Sequence, residues 1–337
     1  AEPGKAYLTE HTAKLVDGFV TLTDLGQHVV KGAKDSVRVY ELQGGGRLRT
    51  RLEIARARGF SRFVGRAKEM AILGAALERA IAGEARIVGI VAEPGVGKSR
   101  LCHEFVERCR ARGVEAFETR GASHGRTIPF LPMLEYVRGF FGVEERDDPQ
   151  AARGKIAGAL LRLDSSFREA LPVMFEFLGV ADPENPLRVS DPEARQQQLH
   201  ALVRRITQMR GRVAPAVTVF EDLHWFDGGS LALLEQLMEA LPGTRLLRVV
   251  NFRPGFHAPW MRRSDYQQIA LLPLGAEAAT ELVVGSPERM AHVNGPANGF
   301  HSIWSGAATA WAGWSLGCRP NADAASTRVA SEIHTTF

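Results

Sequence analysis

The chain has 337 residues, 45% hydrophobic and 24% charged, with a formal net charge of +4. That length suits two ordinary domains or one large one with appendages, and the composition is that of a soluble globular protein able to bury a sizeable core. Acids interspersed among the 42 basic residues argue against a nucleic-acid surface, three cysteines do not make a disulfide framework, and neither a signal peptide nor a membrane-spanning apolar run is legible, so a reducing cytoplasm is expected.

Residues 1–43 read as short strands and turns. Val37, Val39 and Leu42 suggest a strand, and Gly26, Gly32 and Asp35 mark turns. So few apolar residues predict no independent core. Leu8-Thr9, Leu25-Gly26, Val30-Lys31-Gly32 and the run from Val37 to Leu42 (VRVYEL) together resemble the C-terminal end of a class III nucleotide cyclase domain, covering roughly its last quarter. The resemblance implies a small, partial α+β remnant. The metal-binding aspartates and the transition-state Asn and Arg of that family lie upstream of the matched segment, so cyclase activity is expected to be absent from this chain. The chain opens at Ala1 rather than Met, which reads as a fragment of something longer. Residues 44–61 read as a linker, in which Gly44-Gly45-Gly46 is followed by an arginine-rich, solvated connector.

From residue 62 the pattern changes. Met70, Leu73, Leu77 and Ile81 recur at helical spacing, and Gly83 ends the segment. An apolar run (Ile87, Val88, Ile90, Val91) then predicts a strand, which stops at Ala92-Glu93-Pro94-Gly95-Val96-Gly97-Lys98-Ser99, and a helix follows. The loop has P-loop spacing with Ala92 in place of the first glycine. Gly95 and Gly97 let the backbone curl and aim N–H groups at phosphate oxygens, and the helix starting near Lys98 presents its positive end to the same anion. Lys98 suits the β- and γ-phosphates and Ser99 suits Mg²⁺. The predicted cradle is Glu93, Pro94, Gly95, Val96, Gly97, Lys98, Ser99 and Arg100. Cys102 and Cys109, two turns apart on this helix, read as buried thiols.

Val114 to Glu118 reads as a second strand, a helix starts around Pro132, and residues 150–178 read as helical. Asp191-Pro192-Glu193 opens a helix striped by Leu199, Leu202, Val203, Ile206 and Met209. The second chemical signal is Ala216 to Asp227, where an apolar strand delivers Glu221 and Asp222 to its C-terminal end. One acid can hold Mg²⁺ and the other can orient or deprotonate a water, the Walker B role, with Lys98 as the third catalytic candidate. The order, Glu then Asp, leaves open which acid does which. Trp225 reads equally as packing or as nucleotide contact. Ser230 is expected to open the next helix. Arg245 to Asn251 reads as a strand, after which Arg253, with Asn251 close behind, is the candidate γ-phosphate sensor. A fifth strand within 267–274 and a helix over 275–284 complete the pattern.

Phe63-Val64-Gly65-Arg66 with Glu69, and the sequence Asp222-Leu223-His224-Trp225, resemble STAND ATPases, the signal-transducing P-loop ATPases with many domains. The resemblance implies that Arg66 borders the nucleotide, that the Walker B strand lies beside the P-loop strand, and that the parent is a bacterial cyclase–ATPase signalling protein. The expected fold is a three-layer α/β P-loop NTPase domain over 62–285, with parallel strands at 86–92, 114–119, 216–221, 245–251 and 267–272. The expected ligands are ATP and Mg²⁺ with slow hydrolysis, the alternative being a nucleotide-binding scaffold without turnover. The expected partners are other protein domains or chains, with neither nucleic acid nor membrane. Residues 286–337, poor in leucine and rich in Gly, Ala and Ser, read as a disordered or out-of-frame tail.

Overall fold

Two sheets of opposite character make up the structure. The computed structural model describes residues 4–30, 36–45, 51–57, 59–122, 128–189 and 191–284; the expectations for Lys31-Gly32, Asp35 and residues 286–337 lie outside them. The first sheet is antiparallel and built from β1 (Tyr7–Thr9), β2 (Val20–His28) and β3 (Val37–Gly45) in the order β1-β3-β2, with helix α1 (Glu10–Leu15) between the first two strands. This helix escaped the sequence reading, since six residues show no period; Thr9 caps it by accepting a hydrogen bond from the Thr12 N–H. Gly44 and Gly45 are not free linker but the end of β3, paired with Thr21 and Val20. Among the described residues of this sheet and its helix only Ala13 is a buried apolar side chain, which agrees with the absence of an independent core. A short helix α2 (Arg51–Ala57) follows.

The second sheet is parallel. It is built from β4 (Arg86–Val91), β5 (Glu115–Arg120), β6 (Ala216–Glu221), β7 (Leu246–Phe252) and β8 (Tyr266–Ala270), in the order β5-β6-β7-β4-β8. The helices in chain order are α3 (Ala67–Ile81), α4 (Lys98–Ala111), α5 (Leu131–Phe141), α6 (Pro149–Leu163), α7 (Leu171–Phe177), α8 (Pro192–Val213), α9 (Gly228–Glu239) and α10 (Ala276–Val284). On one sheet face, Val88, Ile90, Val217, Val219, Leu247 and Val249 pack with Leu73 and Leu77 of α3 and Leu101 and Phe105 of α4. On the other, Ile87, Ala216, Phe220, Leu246 and Val250 pack with residues of α5 to α9. Alternate strand residues thus face opposite helical layers, which is why these strands read as continuous apolar runs. The architecture is the expected three-layer α/β arrangement.

One expectation is corrected. The strand carrying Glu221 is not beside the strand that leads into the glycine loop. Strand β7 lies between them, paired through Val249 to both Val88 of β4 and Val219 of β6. Every residue of β7 is buried, as befits a central strand with a helical layer on each side. A smaller correction concerns α9, whose cap is Asp227 rather than Ser230. The Asp227 carboxylate accepts from the Ser230 N–H at 3.0 Å, placing Ser230 inside the first turn. Helix α8 is capped by Asp191 as read, but it runs past Gly211 to Val213.

Both helix-α4 cysteines are free and buried, in the layer between α4 and the sheet. Burial pushes the Cys109 thiol up to about 11 and raises that of Cys102 as well. A shift of that size cuts the thiolate fraction about a hundredfold, so Cys102 and Cys109 should resist alkylation in the native chain and react once it is unfolded. Residue-level mass spectrometry after a short alkylation pulse checks this; rapid native labelling of Cys102 would contradict its burial.

Candidate nucleotide-binding site

The site begins where β4 leaves the sheet. The turn into α4 needs left-handed backbone at two places, Gly95 with φ +82° and Gly97 with φ +103°. Gly97 is the N-cap of the 14-residue α4. A Cβ at either glycine would meet nothing within 4 Å, so conformation rather than crowding demands glycine, and open space lies beside both. The first-turn N–H groups of α4 lack intrahelical acceptors and adjoin this space, which makes it a place for an anion. Lys98 is 8% exposed, and its ammonium donates to the carbonyls of Ala92 at 2.7 Å and Glu93 at 3.0 Å. Burial lowers its pKa, the usual cost of keeping an ammonium away from water.

Two arginines tie the lead-in segment to this loop. Arg66 is buried and donates to the Val96 carbonyl at 2.9 Å and to Glu69 at 3.1 Å. Its guanidinium therefore braces the loop from behind. Arg100 donates to Glu104 at 2.8 Å and to the Ser61 carbonyl at 2.9 Å, and it stacks 4.0 Å from the Phe60 ring centroid. Its charge is engaged with the lead-in segment, not with the glycine turn. Glu93 and Pro94 are exposed at the rim, and Ser99 is half-buried on the first turn of α4.

The acids sit two strands away. Glu221 ends β6 and is 4% exposed. Arg120, its register partner at the end of β5, donates to one of its carboxylate oxygens at 2.5 Å. The Asn251 amide on β7 donates to the other at 3.1 Å. Asn251 also accepts the Asp222 backbone N–H at 2.8 Å, and its amide lies 3.5 Å from the Cys102 sulfur on α4. Asp222 itself has φ +57°, a left-handed conformation uncommon outside glycine. That kink turns the chain out of the strand immediately after Glu221. Burial first, and the Glu221 charge second, raise the Asp222 carboxyl above its ordinary value, while Lys98 and Arg253 act to lower it. The Arg253 guanidinium lies 5.4 Å from the Trp225 ring centroid.

Glu221, Asp222 and Asn251 are thus assembled into one cluster, with the charges of Lys98 and Arg253 felt at Asp222. Sequence reasoning missed Arg120. Nothing local marks it, since only the β5–β6 register places it opposite Glu221. Asn251 had been set beside Arg253 as a sensor; its buried amide joins both acids. The residues fit a nucleoside triphosphate with its metal. The glycine turn offers open anion space, and Mg²⁺ needs only one or two carboxylates besides phosphate oxygens and water, a set that Ser99, Glu221 and Asp222 can supply. Among the described residues, no group of three or more His, Cys, Asp or Glu side chains could hold a metal alone.

A glycine loop between a parallel strand and a helix, with acids at the end of a nearby strand, defines a P-loop NTPase fold. The comparison with protein families agrees. Residues 62–250 match the AAA ATPase domain, more than half of the chain, and the chain belongs to that family. It is also similar to an uncharacterized protein of Rhizobium meliloti (strain 1021), with 25% identity over 283 residues, which are 82% of this chain and 26% of that protein. This chain thus spans only a minor part of that relative's length. Among solved structures, C. elegans PCH-2 matches with 10% identity and a TM-score of 0.34, over 67% of this chain and 48% of that one. The Drosophila ORC structure, bound to AT-rich DNA and Cdc6, matches with 11% identity and a TM-score of 0.29, over 73% of this chain and 79% of that one.

Gly121 supports the acids directly. Its N–H donates to the Glu221 carbonyl at 2.9 Å, and a Cβ on it would stand 2.7 Å from the Asp222 carbonyl oxygen. Gly121→Ala should therefore displace the Asp222 kink at a cost of about 1–3 kcal/mol. Thermal unfolding should show a lowered melting temperature; an unchanged one would mean the strand ends separate freely.

Proposed function

We propose that this chain is an ATP-binding regulatory module that hydrolyses ATP slowly with Mg²⁺, as the switch of a cytoplasmic signalling protein. The observation that carries the reading is the pairing of an open glycine turn backed by Lys98 with an acid cluster at the ends of β6 and β7. When bound, Mg²⁺ would neutralise phosphate charge and fix the phosphate oxygens. The remaining roles belong to side chains. Lys98 holds a positive charge against the phosphates, and Ser99 and Glu221 form the metal side. Asp222 has no carboxylate hydrogen bond among the described residues, which leaves it to orient the attacking water and accept its proton. Arg66 keeps the loop in shape, and Arg253 with Asn251 senses the transferred phosphate.

A second reading, a nucleotide-binding scaffold without turnover, draws support from Glu221, both of whose oxygens are engaged by Arg120 and Asn251. Phosphate release separates the two. Asp222→Asn should keep ATP binding and lose at least about a hundredfold in turnover, whereas Lys98→Ala should lose binding itself. Turnover should also fall on acidification through the Asp222 pKa. Since that pKa is raised, the acid limb should lie above the ordinary aspartate value of about 3.9. Wild-type phosphate release no faster than that of Asp222→Asn would favour the scaffold.

We further read residues 1–43 as the end of a class III cyclase domain and the parent as a bacterial cyclase-type signalling protein of the STAND kind. The support is the residue match from Leu8 to Leu42, together with the single buried apolar side chain, Ala13, among the described residues of that sheet and its helix. Cyclisation needs two metal-binding carboxylates and donors to the developing charge, and residues 1–43 contain no counterpart of the family's set. The chain incubated with ATP or GTP and Mg²⁺ or Mn²⁺ should yield no cyclic nucleotide by chromatography. Product lost on deleting residues 1–42 but retained in Lys98→Ala would reverse this reading.

A further inference from the structure

A cation is buried in the middle of the parallel sheet without a counter-charge. One row of side chains crosses all five strands on the face toward α5–α9. The register aligns Phe117, Thr218, Arg248, Ile87 and Tyr266 in that order. Three are large apolar or aromatic residues, as a core row requires. Arg248 is 3% exposed, on the central strand, and its neighbours one row on, Leu246 and Val250, belong to the apolar core. Its guanidinium donates to the Thr218 hydroxyl across the strand pair. Its Nε has no hydrogen-bond partner, and no carboxylate pairs with it among the described residues. Arginine cannot shed its proton to escape burial, so a lone guanidinium in this layer is costly unless an anion joins it.

Arg248 and Thr218 line a cavity of about 40 Å³. Phe117, Tyr136, Phe140 and Leu237 make up much of the rest of its wall. One water needs about 10–15 Å³ on this measure, so there is room for roughly three or four water-sized atoms. We infer that this cavity is a binding site for a small carboxylate, of formate to acetate size. The planar oxyanion would meet the Arg248 fork and the Thr218 hydroxyl, and the carbon end would lie against the aromatic wall. An inorganic divalent anion fits less well, because the other guanidinium in the wall, Arg210, is already paired with Glu115 and the Ala214 carbonyl, which leaves Arg248 as the lining cation without an ion pair among the described residues. The site is distinct from the glycine turn, since Arg248 faces the helical layer opposite α4. It is nevertheless close in chain, three residues before Asn251 on β7, with Thr218 three before Glu221 on β6. An occupant would therefore stiffen the two strands that carry the acid cluster.

The test is thermal unfolding of the full chain in sodium acetate, sodium chloride and acetamide, the salts at equal ionic strength. Acetate at tenfold its dissociation constant should raise the melting temperature by about 2–4 °C over chloride. Neutral acetamide should give no such rise. Arg248→Met, which keeps the volume and removes the charge, should abolish the acetate effect. A measurement that needs no variant is saturation transfer from protein protons to the acetate methyl, which formate should suppress and acetamide should not. Equal shifts with acetate and chloride, an acetate shift that survives in Arg248→Met, or transfer that formate leaves unchanged would each overturn the proposal in favour of a water-filled cavity.

Discussion

The carboxamide of Asn251 does two jobs at once, accepting from the Asp222 backbone and donating to the Glu221 carboxylate. Glu221 ends β6 and Asp222 follows it directly, and Asn251 belongs to the strand beside β6. A buried amide can satisfy these groups only if the two strand ends are level and Asp222 has turned out of the strand. The left-handed backbone at Asp222 is therefore sustained by a side chain from a different element. Arg120, from the other side, engages the remaining Glu221 oxygen. A carboxylate so deeply buried would be destabilising without such partners. The kink after Glu221 and the level ends of the two strands are joined by this one set of hydrogen bonds.

The strand that carries this amide, β7, is central in the sheet. With β7 between β4 and β6, the row at the C-terminal edge runs Arg120, Glu221, Asn251 and Ile90 on the face of α4. The P-loop helix covers that face, so the acids and the glycine turn meet on one side of the sheet. Side-chain alternation then places Arg248 and Thr218, three residues earlier, on the opposite face. The polar groups of the inner sheet fall into two sets, one at each helical layer, and in the set away from α4 the Arg248 Nε has no hydrogen-bond partner among the described residues.

The loop itself is held by contacts outside the strand–helix unit. Arg66 bonds to the Val96 carbonyl, and Arg100 holds the Ser61 carbonyl and the Phe60 ring. The lead-in segment thus fixes a turn whose glycines would otherwise carry high conformational entropy. Inside the N-terminal sheet, Arg38 pairs with Asp24 across β2 and β3, and Ala13 is the single buried apolar residue among those described.

Much of this was legible beforehand. The five parallel strands, the glycine turn with Lys98 and Ser99, the acid pair and the cap at Asp191 all appear as local patterns, because period, capping chemistry and glycine backbone freedom act over a few residues. Helix α1 was too short to show a period, and the start of α9 was misread by three residues because Asp227 and Ser230 both have cap chemistry. What sequence alone determined is which segments are strands and helices and which residue types could meet a phosphate and a metal. Strand order, the register that sets Arg120 against Glu221, the reach of Asn251 to both acids and the burial of Arg248 were decided only by the tertiary structure. These depend on pairing between segments 30 to about 160 residues apart, such as Glu221 with Asn251 and Ile81 with Arg245, and no local pattern encodes such a partner.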